Sequence, residues 1–298
     1  MNLNQTWLVT GGSGLLGHAL CNYLNTQEIA VFGASLTHSV GIKGVLDVNV
    51  DIRDNDAVQA LFEEIRPDCV VHAAGLTNVD ECEKQPDLAH QVHVLASENI
   101  ARAAAQIGAQ LVYISTDHLW DGSVSWIEED TPPNPINIYA KTKLEGEHKI
   151  LSYDVDALIV RTNFFGAGRP WRLSFSDWII NGLTRGEKMP MFGDVYFTPL
   201  SLDHLCIIIL EMVQGCAEGI YNVCGADRLS KYDFCMQLAQ KFELPKELIQ
   251  ESSIQDFEFA APRPSDMSLS TKKLSAFLGR KLPSIDEGLE TLAKIGQK

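Results

Sequence analysis

The stretch Trp7-Leu-Val-Thr10-Gly-Gly-Ser-Gly-Leu-Leu-Gly17 limits what this chain can fold into more than any other. A short apolar run breaks into glycines at 11, 14 and 17, and a helical pattern from Leu15 to Leu24 follows at once. Strand, glycine turn and helix in that order let a phosphate approach the backbone at the helix N-terminus, where unpaired N–H groups and the helix dipole favour an anion. The glycine spacing alone is equally a plain Gly-rich turn. The strand before it and the helix after it are the context that a dinucleotide site requires.

The pattern repeats along the chain. Ile29 to Gly33 and Val45 to Val50 read as strands, and Asn55 to Ile65 as a helix that stops before Pro67. Cys69-Val-Val-His-Ala-Ala74 is nearly all apolar, as a strand buried on both faces should be. A long helix is expected from Asp87 to Ile107, then strands Leu111 to Ser115 and Ala157 to Arg161 with a helix from Ile138 to Leu151 between them. Six strands separated by helices predict an α/β, Rossmann-type doubly wound parallel sheet. The dinucleotide-binding domain is placed at residues 1–163. Residues 164–298 are expected to form mainly a smaller C-terminal α/β substrate lobe interwoven with the first, with about 198–215 returning to the sheet domain. That lobe carries helices Phe175 to Leu183, Leu202 to Val213 and Lys231 to Phe242, a strand Gly219 to Cys224, and a hinge at Ala261-Pro-Arg-Pro264.

Ligands of such sheets bind beyond the strand carboxyl ends. The glycine turn, the small residues 73 to 75, Thr116 and Asn163 all follow expected strands at once. Where an acid would grip a ribose 2′-hydroxyl, the sequence has Ala34-Ser-Leu-Thr-His38, and no acid stands between Ile29 and Leu46. A carboxylate there would repel a 2′-phosphate, whereas Ser35, Thr37 and His38 can hydrogen-bond one, which favours NADP(H) with NAD(H) as the alternative. No arginine stands there to clamp the phosphate.

With 24 Lys plus Arg against 39 Asp plus Glu, the net charge of −15 argues against a nucleic acid or an anionic membrane as partner, and any anionic ligand must be held by local devices. The opening Met1-Asn-Leu-Asn-Gln-Thr6 has no basic run and no 18 apolar residues occur together, so a soluble, cytoplasmic protein is expected. Seven scattered cysteines form no Cys-x-x-Cys pair and read as reduced core residues. His90 and His93 read as packing or surface histidines, and no metal is expected.

The breaker cluster Thr131-Pro-Pro-Asn-Pro-Ile-Asn137 precedes Tyr139-Ala-Lys-Thr-Lys143, which places a phenol and an ammonium on one helical face. The pair is a candidate acid/base, because an ammonium beside a phenol favours its ionised form.

Taken together, Thr10 to Gly17, Val71 to Asp80, Ser115-Thr-Asp117 with Trp120-Asp-Gly122, and Tyr139 to Glu147 resemble the motifs of an extended short-chain dehydrogenase/reductase, within it the dTDP-4-dehydrorhamnose reductase-like branch of sugar-nucleotide reductases. Arg161-Thr-Asn163, Phe197 to Ser201, Gly219 to Val223 and Arg263 to Leu269 extend the likeness over nearly the whole chain. The resemblance implies that Tyr139 donates a proton to a carbonyl, that Lys143 lowers its pKa and holds the nicotinamide ribose, and that Thr116 positions the carbonyl oxygen. It also implies a cofactor lining of Gly11, Gly14, Leu15, Leu16, Gly17, Ser35, Thr37, Asp51, Ile52, Ala73, Ala74, Gly75 and Thr77, together with Tyr139 and Lys143. Val79, Asn163 and Arg263 would meet the substrate. Arg169, Arg172, Lys188 and Arg263 are the basic residues to test for its pyrophosphate, against the alternative that each is a surface residue.

The implied activity is NAD(P)H-dependent reduction of the 4-keto group of a nucleotide-diphospho-6-deoxysugar in deoxysugar and cell-surface polysaccharide biosynthesis. A nucleotide-sugar epimerase or dehydratase and a cofactor-binding regulatory subunit are the alternatives. A second copy of the chain is a candidate partner, as a homodimer.

Overall fold

In the computed structural model, which describes residues 5–295, six expected strands pair in parallel and a seventh joins them. They are β1 (Thr6–Thr10), β2 (Ala30–Ser35), β3 (Leu46–Asn49), β4 (Cys69–His72), β5 (Gln110–Ile114) and β6 (Ala157–Thr162). Across the sheet the order is Gly219–Val223, β6, β5, β4, β1, β2, β3. The seventh strand, expected to belong to the back third, lies parallel on β6 with Tyr221 opposite Val160. Residues 1–4, read above for the absence of a leader, lie outside the described part.

The strands β4 and β6 are buried along their whole length, because helices cover both faces of the sheet. One face packs Leu16, Leu20 and Leu24 of helix α1 (Leu15–Thr26) with Leu205, Ile209 and Met212 of Leu202–Gln214. The other packs Val58 and Phe62 of helix α2 (Asn55–Ile65) with Ile100, Ala104 and Ile150. Asp54 caps α2 by accepting from the N–H groups of Asp56 (3.0 Å) and Ala57 (3.2 Å), and the helix ends at a left-handed Arg66 just before Pro67. A separate core of Phe165, Ile179, Met191, Phe197, Phe234 and Leu289 holds the second lobe together.

The expected helix from Asp87 is interrupted. Pro86–His90 is α-helical, Gln91–Leu95 widens to a π-helical turn, and Ala96–Ile107 is α-helical again. The wider turn rotates His93 inward, where it is 1% exposed, while His90 stays half-buried beside Glu145. All seven cysteines are unpaired and Cys216 alone is exposed. Among the described residues no helix is long and apolar enough to cross a membrane.

Candidate active site

Where the strand order reverses between β1 and β4, a cleft of about 920 Å³ opens at the carboxyl ends of the strands. Its wall contains Gly11, Gly14, Leu15, Leu16 and Gly17 from the first turn, Ser35 at the end of β2, Thr37 just after it, and Asp51 and Ile52 from beyond β3. Ala73, Ala74, Gly75, Thr77 and Val79 follow β4, while Thr116, Tyr139, Lys143 and Asn163 complete it. Arg263 is absent from this wall. Its guanidinium pairs with Asp80 at 2.9 Å, on the loop that also receives a hydrogen bond from the Asn137 amide to the Pro262 carbonyl (3.0 Å). Arg172 lines the cleft, and Lys188 is exposed on the second lobe.

The glycine turn fits a dinucleotide's phosphates. Gly11 adopts φ +69°, and a Cβ there would press on the Ala74 backbone; a Cβ on Gly17 would fall on the carbonyl oxygen of Gly11. The helix α1 begins at Gly14 with no side-chain cap and no acid in its first turn, so its leading N–H groups face the cleft without a protein partner to compete for them.

Asn137 starts the helix Ile138–Leu151 by accepting from the Ala140 N–H (2.9 Å), which fixes Tyr139 in the first turn and Lys143 one turn on. The two side chains then do different things. The Lys143 ammonium is buried, donates to the Ile114 carbonyl at 2.8 Å and lies 4.0 Å from the Tyr113 ring centroid. Burial depresses it to about 7, partly opposed by the Glu147 carboxylate. The Tyr139 phenol is instead raised above its ordinary value by burial, with a hydrogen bond to Thr116 pulling the other way. Lys143 is not among the groups that set the phenol's pKa here: its ammonium is turned to the end of β5, and burial dominates at Tyr139.

Three groups of the site were not singled out as such from the sequence. His93 accepts from the Leu76 N–H at 3.0 Å and shares a 2.8 Å hydrogen bond with Thr142, and its ring meets Tyr139 edge-on at 5.7 Å. His118 also meets Tyr139 edge-on, at 5.6 Å. Asp117, 2% exposed, accepts from Thr116 (3.4 Å) through one carboxylate oxygen, and the other oxygen has no partner; burial pushes this carboxyl up, opposed first by Lys231. For Asp117 the sequence signal was its place in the Ser115-Thr-Asp117 motif, and for His118 only its nearness to Thr116. For His93 there was none, because the π-helical turn that redirects it leaves no mark in apolar periodicity.

Ser35 and Thr37 reach the cleft, but the Ser35 hydroxyl donates to the His38 carbonyl at 2.6 Å. Arg53, which also lines the wall, is held by Asp51 in a forked pair (2.5, 2.8 and 3.1 Å). That hydrogen bonding keeps the Asp51 carboxyl below its usual value.

The family described as RmlD substrate binding domain matches residues 5–297. The probable low-salt glycan biosynthesis reductase Agl14 of Haloferax volcanii is 30% identical over 288 residues, covering 95% of this chain and 96% of that protein. Methionine adenosyltransferase 2 subunit beta of Xenopus laevis is 29% identical over 295 residues, covering 93% and 84%. The crystal structure of dTDP-4-dehydrorhamnose reductase from Bacillus anthracis in complex with NADP shares the fold with a TM-score of 0.87 at 27% identity, covering 98% of this chain and 99% of that one.

Proposed function

Since the chain belongs to the RmlD substrate binding domain family, we propose that it is an NADP(H)-dependent oxidoreductase of the extended short-chain dehydrogenase/reductase type that reduces the 4-keto group of a nucleotide-diphospho-6-deoxysugar. The observation that carries this reading is the convergence of Thr116, Tyr139 and Lys143 on the cleft that the uncapped α1 and the glycine turn also open into. When bound, the cofactor supplies hydride to the carbonyl carbon.

The chain's own groups account for the rest. Thr116 and Tyr139 both line the cleft, and their hydroxyls would stabilise the charge that develops on the carbonyl oxygen. Tyr139 then gives its proton to that oxygen; its raised pKa keeps the phenol protonated and ready to donate at neutral pH. Lys143 stands one turn away with two donor hydrogens beyond the one given to Ile114, suited to the ribose hydroxyls of the cofactor. Residues before Asn163 supply the cofactor side of the cleft, and Asn163, Arg172 and Phe175 line the side assigned to the substrate.

The test is a panel of dTDP-, UDP- and GDP-linked 4-keto-6-deoxysugars with NADPH and NADH in parallel, followed by loss of absorbance at the reduced nicotinamide. Turnover of at least one with net NADPH consumption supports the reading. Sugar conversion without net cofactor consumption would indicate an epimerase, and no conversion of any sugar would refute a reductase. A second reading, a cofactor-binding regulatory subunit, is favoured by the likeness to methionine adenosyltransferase 2 subunit beta. It does not require an acid/base tyrosine, and the Tyr139 substitution below separates the two.

A further inference from the structure

The phosphates of a dinucleotide need cations in a chain of net charge −15, and the first lobe leaves little to offer. The loop after β2 has no arginine, Ser35 is turned to His38, and Arg53 is neutralised by Asp51. A second-lobe hairpin reaches across instead. Arg169 and Arg172 exchange two backbone hydrogen bonds of 2.8 Å, which fixes the turn between them, and the Arg172 guanidinium contacts the Thr77 hydroxyl on the far wall. At the tip, Trp171 stacks on His38 with ring centroids 4.7 Å apart and planes at 17°. The Arg169 guanidinium lies 4.8 Å from the same indole.

Arg169 is uncommitted. Among the described residues it closes no ion pair, and its buried Nε has no hydrogen-bond partner. Arg169 lines a small pocket beside the cleft with His18 of α1 and Asp203, and among the described residues Asp203 does not pair with it. The row His38, Trp171, Arg169 thus joins the β2 loop, the place where dinucleotide folds set the ribose 2′-substituent, to a planar guanidinium suited to phosphate.

The geometry points to Arg169, supplied by the second lobe and aligned through Trp171 on His38, as the residue that recognises the 2′-phosphate of NADP(H). The clamp missing from the β2 loop is delivered from about 130 residues further along the chain. This inference rests on the NADP(H) reading and adds where its selectivity comes from.

Titration calorimetry of the full chain with NADPH and with NADH tests it without reference to turnover. The wild type should bind NADPH more tightly, and Arg169→Met should weaken NADPH binding about 10-fold or more while NADH stays within about 2-fold. Trp171→Leu, at a site 41% exposed and so tolerant of change, should give the same selective loss, and Arg169→Lys a smaller one. Unchanged NADPH affinity in Arg169→Met, or an equal loss for both dinucleotides, would overturn the assignment to the 2′-phosphate. A wild type that binds neither dinucleotide, or prefers NADH, would overturn the NADP(H) reading itself and the inference with it.

Discussion

Lys143 is tied to Ile114: its ammonium donates a 2.8 Å hydrogen bond to the last carbonyl of β5, and burial there depresses it to about 7. Below that pH the site holds a cation that an anionic cofactor stabilises further; above it the cation is lost unless the cofactor keeps it. Affinity for NADPH should therefore fall as pH rises from about 7 to 9, by several-fold and at most about 10-fold per unit. Lys143→Met should bind weakly at every pH and show no such slope. A wild-type affinity flat across this range would place the Lys143 titration elsewhere.

Tyr139→Phe removes the proton donor and keeps the ring that meets His93 and His118 edge-on. Turnover of an accepted keto-sugar should drop roughly 10²–10⁴-fold, with NADPH affinity within a few-fold of wild type. Steady-state rates and calorimetry on the same preparation measure both. If the variant keeps full activity on the sugar, or if it still exerts an undiminished effect on a methionine adenosyltransferase while no sugar is reduced, Tyr139 has no acid/base role.

Arg161 and Glu147 form a buried pair, 3% and 1% exposed, joined at 2.7 Å and 3.1 Å, and Glu147 also accepts from Ser115 at 2.5 Å. The pair locks the helix bearing Tyr139 and Lys143 onto β5 and β6. Arg161→Met leaves a carboxylate buried with too few donors and should cost about 3–5 kcal/mol in urea denaturation. Adding Glu147→Met should restore much of that loss, whereas a single-variant cost under about 1 kcal/mol would show that the pair is not structural.

His72 and His93, each 1% exposed, are pushed down to about 3 by burial, with the Lys143 cation adding to it. The unfolded chain protonates both near 6.5, whereas the folded chain does so only near 3, so the unfolded state binds more protons between those values. Stability is thus complete above about 6.5 and falls as pH drops, by up to about 2.7 kcal/mol per unit from these two groups. Denaturation at pH 7, 6, 5 and 4 measures the slope. His72→Asn should make it shallower by about one proton, and an unaltered slope would mean that His72 is protonated in the fold.

The alternation of strand and helix, the glycine turn and the helix bounds Asn55–Ile65 and Ile138–Leu151 were all legible in the sequence, because each is fixed by hydrogen bonds and apolar spacing within a few turns of chain. So was the rule that residues following parallel strands share one crevice, which gathers Gly11, Ala73, Thr116 and Asn163. Tertiary packing alone decided the rest. It brought Gly219–Val223 onto β6, turned His93 inward through a π-helical turn, tied Arg263 to Asp80, and laid Trp171 on His38. Each of these joins partners far apart in the chain or depends on which face of a helix meets a neighbour. Local propensity carries no information about such contacts, which are settled by how the lobes bury their apolar faces and where the remaining charges find partners.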